Sequence, residues 1–126
     1  MVIKVMVADD QALIRESLKI ILSAHPDIEV VATVEDGNHV LSSIPQTHPD
    51  LILMDIQMPN MDGYKATQAI RHLPDKDKAS IPVIAMTANA FEEDKRDAIA
   101  AGMNGHIAKP IQVEKLLSIL TEIVRK

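Results

Sequence analysis

Hydrophobic positions along the chain form two patterns: short continuous apolar runs, and longer segments in which apolar residues recur every three or four positions. The short runs predict β-strands and the longer segments predict amphipathic helices. The predicted strands are residues 3–8, 28–34, 51–54, 83–86 and 105–108. The run 51–54 is apolar at every position, which is typical of a parallel strand covered on both faces.

A predicted helix follows each predicted strand. The first, third and fourth helices are residues 11–24, 64–73 and 91–101. The second has Val40, Leu41 and Ile44 on its apolar face and ends between Pro45 and Pro49. The apolar face of the last helix consists of Val113, Leu116, Leu117, Leu120 and Val124. Asp36-Gly37 is expected to form a turn, and the polar run 74–80 to be a solvated connection.

The alternation of strands and helices has no internal repeat and no linker, so residues 1–126 are predicted to form a single α/β domain. Right-handed crossovers restrict the topology. A doubly wound, five-stranded parallel sheet with strand order 2-1-3-4-5 is the leading candidate.

Composition excludes several classes of protein. The 126 residues carry 13 Lys and Arg against 18 Asp and Glu, so we expect no nucleic-acid binding by this domain alone. No apolar stretch approaches the roughly 20 residues of a membrane span, and the amino terminus lacks the features of a signal peptide, so no membrane insertion is expected. The absence of cysteine fits the cytoplasm, which is the expected location.

Chemically versatile side chains directly follow the predicted strands. Asp9 and Asp10 follow the first strand, Asp55 the third, Thr87 the fourth and Lys109 the fifth. The carboxyl ends of parallel strands meet at one edge of the sheet, where such folds bind ligands. Carboxylates 4 Å apart repel by about 4 kcal/mol at an effective dielectric of 20, so the cluster needs a cation or raised pKa values. Hard oxygen ligands suit Mg²⁺, which Mn²⁺ could replace.

Each of these residues also has an ordinary structural interpretation. Asp9-Asp10 could cap the first helix, Thr87 could cap the fourth, and Asp55 could belong to a turn. Lys109 could be a surface lysine. Their shared position at one edge of the sheet is what favours a functional site.

Five short motifs give the chain a resemblance to a known family. They are Asp9-Asp10, LILMDIQMP at 51–59, Asp62-Gly63, AMTANA at 85–90 and AKP at 108–110. In this order and at these spacings they resemble the receiver domain of two-component response regulators. The likeness covers essentially all 126 residues and implies the flavodoxin-like receiver fold.

The resemblance implies a phosphorylation site. Asp55 would accept a phosphoryl group from a histidine kinase or a histidine phosphotransfer protein, as a carboxylate nucleophile. Mg²⁺ would be held directly by Asp10, Asp55 and the backbone carbonyl of Gln57, and by Asp9 through water.

The same resemblance assigns a cation and a hydroxyl to the phosphoryl oxygens. Lys109 would pair with one oxygen, and Thr87 would donate its hydroxyl to another. Gln57 and Asn89 would flank the site at positions that tune the phosphoryl lifetime, although both could equally be solvated loop residues. Relatives often have a cis peptide bond at the position of Lys109–Pro110.

A conformational switch is also implied. On phosphorylation Thr87 would move inward, and the surface formed by helix 4, strand 5 and helix 5 would change. That surface would include Ala90, Met103 and Ile107, and it could form a homodimer. The family places an aromatic residue on the fifth strand where this chain has His106, so His106 is either the switch residue or an ordinary strand residue.

Three other functions fit parts of the pattern. A haloacid-dehalogenase-type phosphatase would need an acidic residue where Gln57 stands, and its nucleophile would follow the first strand. A non-catalytic module would have lost site residues, yet each is present here. A flavin carrier would need a phosphate-binding loop and stacking aromatics that this chain lacks. We therefore expect a signalling module that phosphorylates and dephosphorylates itself, rather than an enzyme.

The context of the domain stays open. The first half, with ADDQALIRESLKIIL, resembles receivers joined to helix-turn-helix output domains. The second half, with IPVIAMTANAFEEDKRDAIAAGMNGHIAKPI, resembles receivers of hybrid histidine kinases. A free-standing receiver, the receiver of a transcription factor and the receiver of a hybrid kinase are all compatible with these residues.

Overall fold

A single parallel sheet of five strands organises the computed structural model, which describes residues 2–87, 92–109 and 111–124. The strands are β1 (Ile3–Ala8), β2 (Ile28–Val34), β3 (Leu51–Asp55), β4 (Val83–Thr87) and β5 (Gly105–Ala108). They lie in the order β2-β1-β3-β4-β5 with every pair parallel, so the predicted order is confirmed.

Six helices connect or follow the strands in the described part of the chain. They are α1 (Ala12–Ser23), α2 (Gly37–Thr47), α3 (Gly63–Arg71), α4 (Lys76–Ala79), α5 (Glu92–Ala101) and α6 (Val113–Val124). The helices predicted as fourth and fifth are therefore α5 and α6. No helix among the described residues is long and apolar enough to cross a bilayer.

Alternate residues of each central strand pack into two hydrophobic cores, one on each face of the sheet. On β3, Ile52 and Met54 pack towards α2, α3 and α5, whereas Leu51 and Leu53 pack towards α1 and α6. All four side chains are fully buried. Burial of both faces explains why this strand has no polar position before Asp55.

Strand register determines which residues meet at the carboxyl edge of the sheet. Ala8 of β1 pairs with Met54 of β3, which brings the residue after β1 beside the last residue of β3. Thr87 pairs with Ala108, so the residue after β5 follows next to the end of β4. The side chains at positions 9, 55, 87 and 109 thus belong to one edge, as the sequence predicted.

The connection at 74–80 is mostly exposed, as predicted, but part of it is helical, which the sequence pattern did not indicate. The short helix α4 lies within it. Asp75 caps this helix, because its carboxylate accepts hydrogen bonds from the backbone N–H groups of Asp77 at 2.9 Å and Lys78 at 3.3 Å. One helical turn has too few residues to show a periodic apolar pattern. The capping residue Asp75 was therefore the only sequence signal for α4.

Smaller differences affect the ends of elements. Strands β3 and β4 each extend one residue further than predicted and include Asp55 and Thr87. Asp36, predicted in a turn, is the N-cap of α2, which continues through Pro45 and ends before Pro49. The expected start of a helix at Phe91 lies outside the described residues.

Candidate functional site

Three carboxylates meet at the carboxyl edge of the sheet. Oxygens of Asp9, Asp10 and Asp55 all lie within 4.8 Å of one another. Asp9 is fully buried and Asp55 is 7% exposed, whereas Asp10 is exposed. No described residue donates a hydrogen bond to the Asp10 carboxylate, so its oxygens are available to a ligand.

Asp9 is held by three hydrogen bonds and one ion pair. Its backbone N–H donates to the carbonyl of Val34 at 3.0 Å, and its own carbonyl accepts from Arg15 Nη1 at 2.6 Å. Its Oδ1 accepts from the backbone N–H of Gln11 at 2.9 Å, and its Oδ2 lies 2.8 Å from Lys109 Nζ. Asp9 therefore fixes the turn after β1 and orients the lysine.

Lys109 bridges two of the carboxylates. Its Nζ lies 2.8 Å from Asp9 Oδ2 and 3.4 Å from Asp55 Oδ2, with 20% of its side chain exposed. Its backbone N–H donates to the carbonyl of Thr87 at 2.7 Å, which fixes the chain where β5 ends. Burial disfavours the charged amine, but the hydrogen bond to Asp9 and the charge of Asp55 outweigh it and raise the pKa of Lys109.

Asp55 lies at the centre of the group. Burial raises the pKa of its carboxyl group to about 6, the nearby charge of Asp9 adds to this effect, and Lys109 and the N–H of Gln57 oppose it. That N–H donates to Asp55 Oδ1 at 3.3 Å. One lysine against three carboxylates leaves two negative charges uncompensated when all are ionised, which suits a divalent cation.

The hydroxyl of Thr87 is buried and has no hydrogen-bond partner among the described residues. A buried hydroxyl without a partner costs free energy, because it has lost its bonds to water. Thr87 lines the same cavity as Asp55 and Lys109. An acceptor placed in this cavity could therefore supply the missing bond.

The other predicted site residues lie at the edges of the group or outside the description. Gln57 is exposed in the loop after β3. His106 is partly exposed on β5, where it pairs with Ala85 of β4. Asn89, Ala90 and the Lys109–Pro110 peptide bond lie outside the described residues.

A cavity of about 770 Å³ extends from the carboxylates along α1. Asp10, Asp55 and Lys109 line its polar end. Its apolar wall is formed mainly by α1 and by the chain after β5, through Leu13, Ile14, Leu18, Ile21 and Ile111. Leu13 is 76% exposed although it is a large apolar residue.

Two of the ordinary structural interpretations are wrong. The N-cap of α1 is Gln11, which makes no side-chain capping bond, so neither Asp9 nor Asp10 caps this helix. Lys109 is not a free surface lysine, because buried Asp9 contacts its amine.

Two residues contact the site in ways that the sequence did not predict. Arg15 donates to the carbonyl of Asp9 from one turn into α1. Gly63 lies so close to the end of β3 that an added Cβ would be 2.5 Å from the carbonyl oxygen of Asp55. Both contacts involve backbone atoms of distant residues, which no local pattern reveals. The Asp62-Gly63 pair contributed to the family resemblance but did not predict this contact.

Comparison with known proteins agrees with this geometry. The family model described as the response regulator receiver domain matches residues 5–121. The chain belongs to this family of signalling domains.

Two relatives illustrate the range of proteins that carry such a domain. A protein-glutamate methylesterase/protein-glutamine glutaminase of Nocardioides sp. is 40% identical over 88% of this chain and 30% of that protein. The signal transduction histidine-protein kinase BarA of Escherichia coli K12 is 39% identical over 92% of this chain and 12% of the kinase. The chain thus spans a third or less of these two relatives.

A solved structure shows the same fold over the whole chain. The receiver domain of sensor histidine kinase PA1611 from Pseudomonas aeruginosa PAO1 aligns with a TM-score of 0.85 and 29% identity, covering 100% of both chains. That structure has a magnesium ion coordinated in its active-site cleft.

Proposed function

We propose that this receiver domain accepts a phosphoryl group on the Asp55 carboxylate and passes the resulting change to a partner. The observation that carries the proposal is the position of Asp55 at the end of β3, with a lysine amine 3.4 Å away and two further carboxylates beside it. Phosphoryl transfer to Asp55 would account for the convergence of three acids and a cation at an otherwise apolar strand end.

The phosphodonor we propose is a phosphohistidine of a histidine kinase or of a phosphotransfer protein. An Asp55 oxygen forms a bond to phosphorus while the bond from phosphorus to the imidazole nitrogen breaks, and the imidazole, which already carries a proton on its other nitrogen, leaves as a neutral ring. Lys109 is placed to pair with a phosphoryl oxygen, since its amine already lies beside Asp55. The buried Thr87 hydroxyl is available to donate to another.

Magnesium is the cofactor we propose. Its carboxylate ligands would be Asp10 and Asp55, with the backbone carbonyl of Gln57, because the Asp10 oxygens are exposed and carry no described hydrogen bond. Asp9 would act through water, since its oxygens are already engaged by Gln11 and Lys109. When bound, the ion would offset negative charge on the transferred group, and Mn²⁺ could replace it.

The apolar cavity wall supports a docking site for the phosphodonor. It begins at the acceptor carboxylate and continues along α1 to exposed Leu13, so a helical partner could bury this face while presenting its phosphohistidine to Asp55. We expect Leu13→Glu to slow phosphotransfer from a phosphorylated kinase domain at least tenfold and to leave labelling by acetyl phosphate unchanged. The control is Ile99→Glu, which introduces the same charge at a 69%-exposed position on α5.

The response surface we propose is the face formed by α5, β5 and α6. Thr87 precedes the segment that leads into α5, and His106 lies on β5, two residues before the strand ends beside Thr87. Phosphorylation would give the Thr87 hydroxyl its missing acceptor and draw it inward. The His106 side chain would change its orientation when Thr87 moves. The changed face would then bind a partner or a second copy of the domain.

We further propose that residues 1–126 act as one domain in the cytoplasm, as a signalling module without turnover of an external substrate. The five strands contributed by residues 3–108 support the first point, because they form one sheet. Release of phosphate from p-nitrophenyl phosphate over many turnovers, without phosphoprotein, would instead indicate a phosphatase.

Intact-mass measurement tests the proposed chemistry. With Mg²⁺ and acetyl phosphate, the protein should gain one phosphoryl group, and Asp55→Asn should gain none. Asp62→Asn is the control, because it removes a carboxylate in the adjacent loop and should label normally. A phosphoryl group retained in Asp55→Asn would contradict the assignment.

A further inference from the structure

Arg71 is a partly buried cation that the carboxylate site does not use. It is the last residue of α3, and its guanidinium donates five hydrogen bonds, the full number that an arginine can make. Nε and Nη2 donate to the carbonyl of Gly102 at 3.0 and 2.8 Å. Nη1 donates to the carbonyls of Ala79 and Ile81, both at 2.8 Å, and Nη2 also donates to Asn104 Oδ1 at 2.8 Å. We call this set of contacts the Arg71 clasp.

The clasp joins the carboxyl ends of two helices. Ala79 is the last residue of α4, and Gly102 directly follows α5. Carbonyls at helix carboxyl ends lack intrahelical partners and carry partial negative charge, so a guanidinium satisfies them well. Asn104 extends the clasp to the sheet, because its Oδ1 also accepts from the backbone N–H of Val83 at 2.9 Å.

The turn after α5 packs directly on the arginine stem. Gly102 has φ of 103°, a conformation that favours glycine, and its N–H and that of Met103 bond back to Ile99 and Ala98 at 3.0 and 2.9 Å. A Cβ added at Gly102 would lie 3.0 Å from Arg71 Cγ. The end of α5 therefore has one position against α3.

Side-chain packing holds this end of α5 less firmly than the clasp does. Among the described side chains of α5, residues 96–101, only Ala98 and Ala101 are buried, and Ile99 is 69% exposed. Alanine methyl groups remove little apolar area from water. Hydrogen bonds from a charged guanidinium are roughly twice as strong as neutral ones.

We propose that the Arg71 clasp is the pivot of the response surface. It fixes the carboxyl end of α5 and the start of β5, so that phosphorylation displaces the amino-terminal end of α5 and leaves residues 101–104 in place. Arg71 acts here as a positioning residue, because it lies in a separate cluster of contacts from the carboxylate site. The proposal rests on the proposed function, since it takes Asp55 phosphorylation as the event that moves α5.

Hydrogen exchange of the backbone amides tests the pivot. Wild-type protein is measured with and without beryllofluoride and Mg²⁺, and binding of these probes is verified separately. On adding the probes, we expect the amide exchange rates of residues 92–96 to change at least threefold and those of residues 101–104 to stay the same. In Arg71→Met, the amides of residues 101–104 should exchange at least tenfold faster without the probes. Adding beryllofluoride and Mg²⁺ to this variant should then change the exchange rates of residues 101–104 as well as those of residues 92–96.

Matched variants separate the pivot from general destabilisation. Arg96→Met removes an exposed arginine of α5 and should behave as wild type. Arg71→Lys keeps the charge but not the five-bond geometry, and Asn104→Ala removes one acceptor. Both should accelerate exchange at 101–104 less than Arg71→Met does. They replace Arg71→Met in the test if that variant does not fold. Acetyl phosphate should label every variant at Asp55.

Two results would overturn the proposal. One is an equal change at 92–96 and 101–104 in wild-type protein on adding the probes. The other is unchanged exchange at 101–104 in the Arg71 variants. Loss of Asp55 labelling in wild-type protein is a different outcome: it contradicts the proposed function, and the exchange of the untreated Arg71 variants still reports whether the clasp holds α5.

Discussion

Asp9 shows how a single residue can organise the site without being a free ligand. It is fully buried, and each of its polar atoms is engaged by the backbone, by Arg15 or by Lys109. The exposed carboxylate of Asp10, next in the chain, is left to bind other groups. The two adjacent aspartates look equivalent in the sequence. Only the tertiary structure shows that Asp9 positions Lys109 whereas Asp10 is available to bind a ligand.

The ion pair between Lys109 and Asp9 leads to a stability prediction. Lys109→Met leaves a buried carboxylate without its cation and should lower the free energy of unfolding by about 2–3 kcal/mol, because one-sided removal of a buried ion pair is costly. Urea denaturation measures this. The matched background is Asp9→Asn, in which the same lysine substitution should cost much less. An equal cost in both backgrounds would show that the pair is not coupled.

The raised pKa of Asp55 predicts a pH dependence of stability. The folded-state pKa of about 6 exceeds the ordinary aspartate pKa of 3.8, so the folded protein holds this proton more tightly than the unfolded chain does. The resulting stabilisation is complete below the unfolded pKa and is lost as the pH rises through about 6.

Asp55→Asn keeps the side chain neutral and should avoid that loss. In EDTA, the variant should gain stability relative to wild type between about pH 4 and pH 6.5. The gain should be on the order of 1–2 kcal/mol after allowance for solvent screening. Urea midpoints measured across this range check the prediction, and a difference that stays constant with pH would refute the assigned pKa direction.

At the scale of elements, hydrophobic periodicity was sufficient to predict the five strands, whereas their order was predicted from the known doubly wound folds with this alternation of strands and helices. Runs such as 51–54 are buried on both faces, so their pattern has one interpretation. The pattern could not predict α4, which is one turn long and buries no residue. The strand-end residues of the site followed from the topology, whereas Arg15 and Gly63 did not, since both act through contacts with distant backbone atoms.

The loop between β3 and α3 depends on Gly63. An added Cβ would lie 2.5 Å from the carbonyl oxygen of Asp55 and 3.1 Å from Ile56 Cα, and backbone atoms cannot move aside as a side chain can. Gly63→Ala should cost at least about 2 kcal/mol and slow phosphorylation at least tenfold.

A second glycine gives the matched control for this loop. Gly105→Ala should cost less than about 1 kcal/mol, because its nearest contact is the flexible end of Ile84 at 3.3 Å. Urea denaturation and acetyl phosphate labelling compare the two variants. Equal effects would show that the contact with Asp55 is unimportant.

On the scale of the whole molecule, metal binding should be linked to folding. The three carboxylates come from β3 and from the turn after β1, so they assemble only in the folded chain. A ligand that binds only the folded state at 100 times its Kd stabilises it by about 2.7 kcal/mol. Titrating Mg²⁺ should therefore raise the thermal midpoint of the wild-type protein.

Asp10→Asn should largely remove this dependence on Mg²⁺. Asp27→Asn, an exposed position before β2, should retain it. Differential scanning calorimetry of the three proteins provides the comparison. Equal Mg²⁺ dependence in wild type and Asp10→Asn would count against Asp10 as a ligand.

Chemical identification of the phosphorylated residue tests the central claim most directly. After treatment with acetyl phosphate and Mg²⁺, borohydride reduces an aspartyl phosphate to homoserine, and peptide mass spectrometry locates the converted residue. We expect homoserine at position 55 and at no other aspartate position. Conversion of Asp9, Asp10 or Asp62, with position 55 still aspartate, would contradict it.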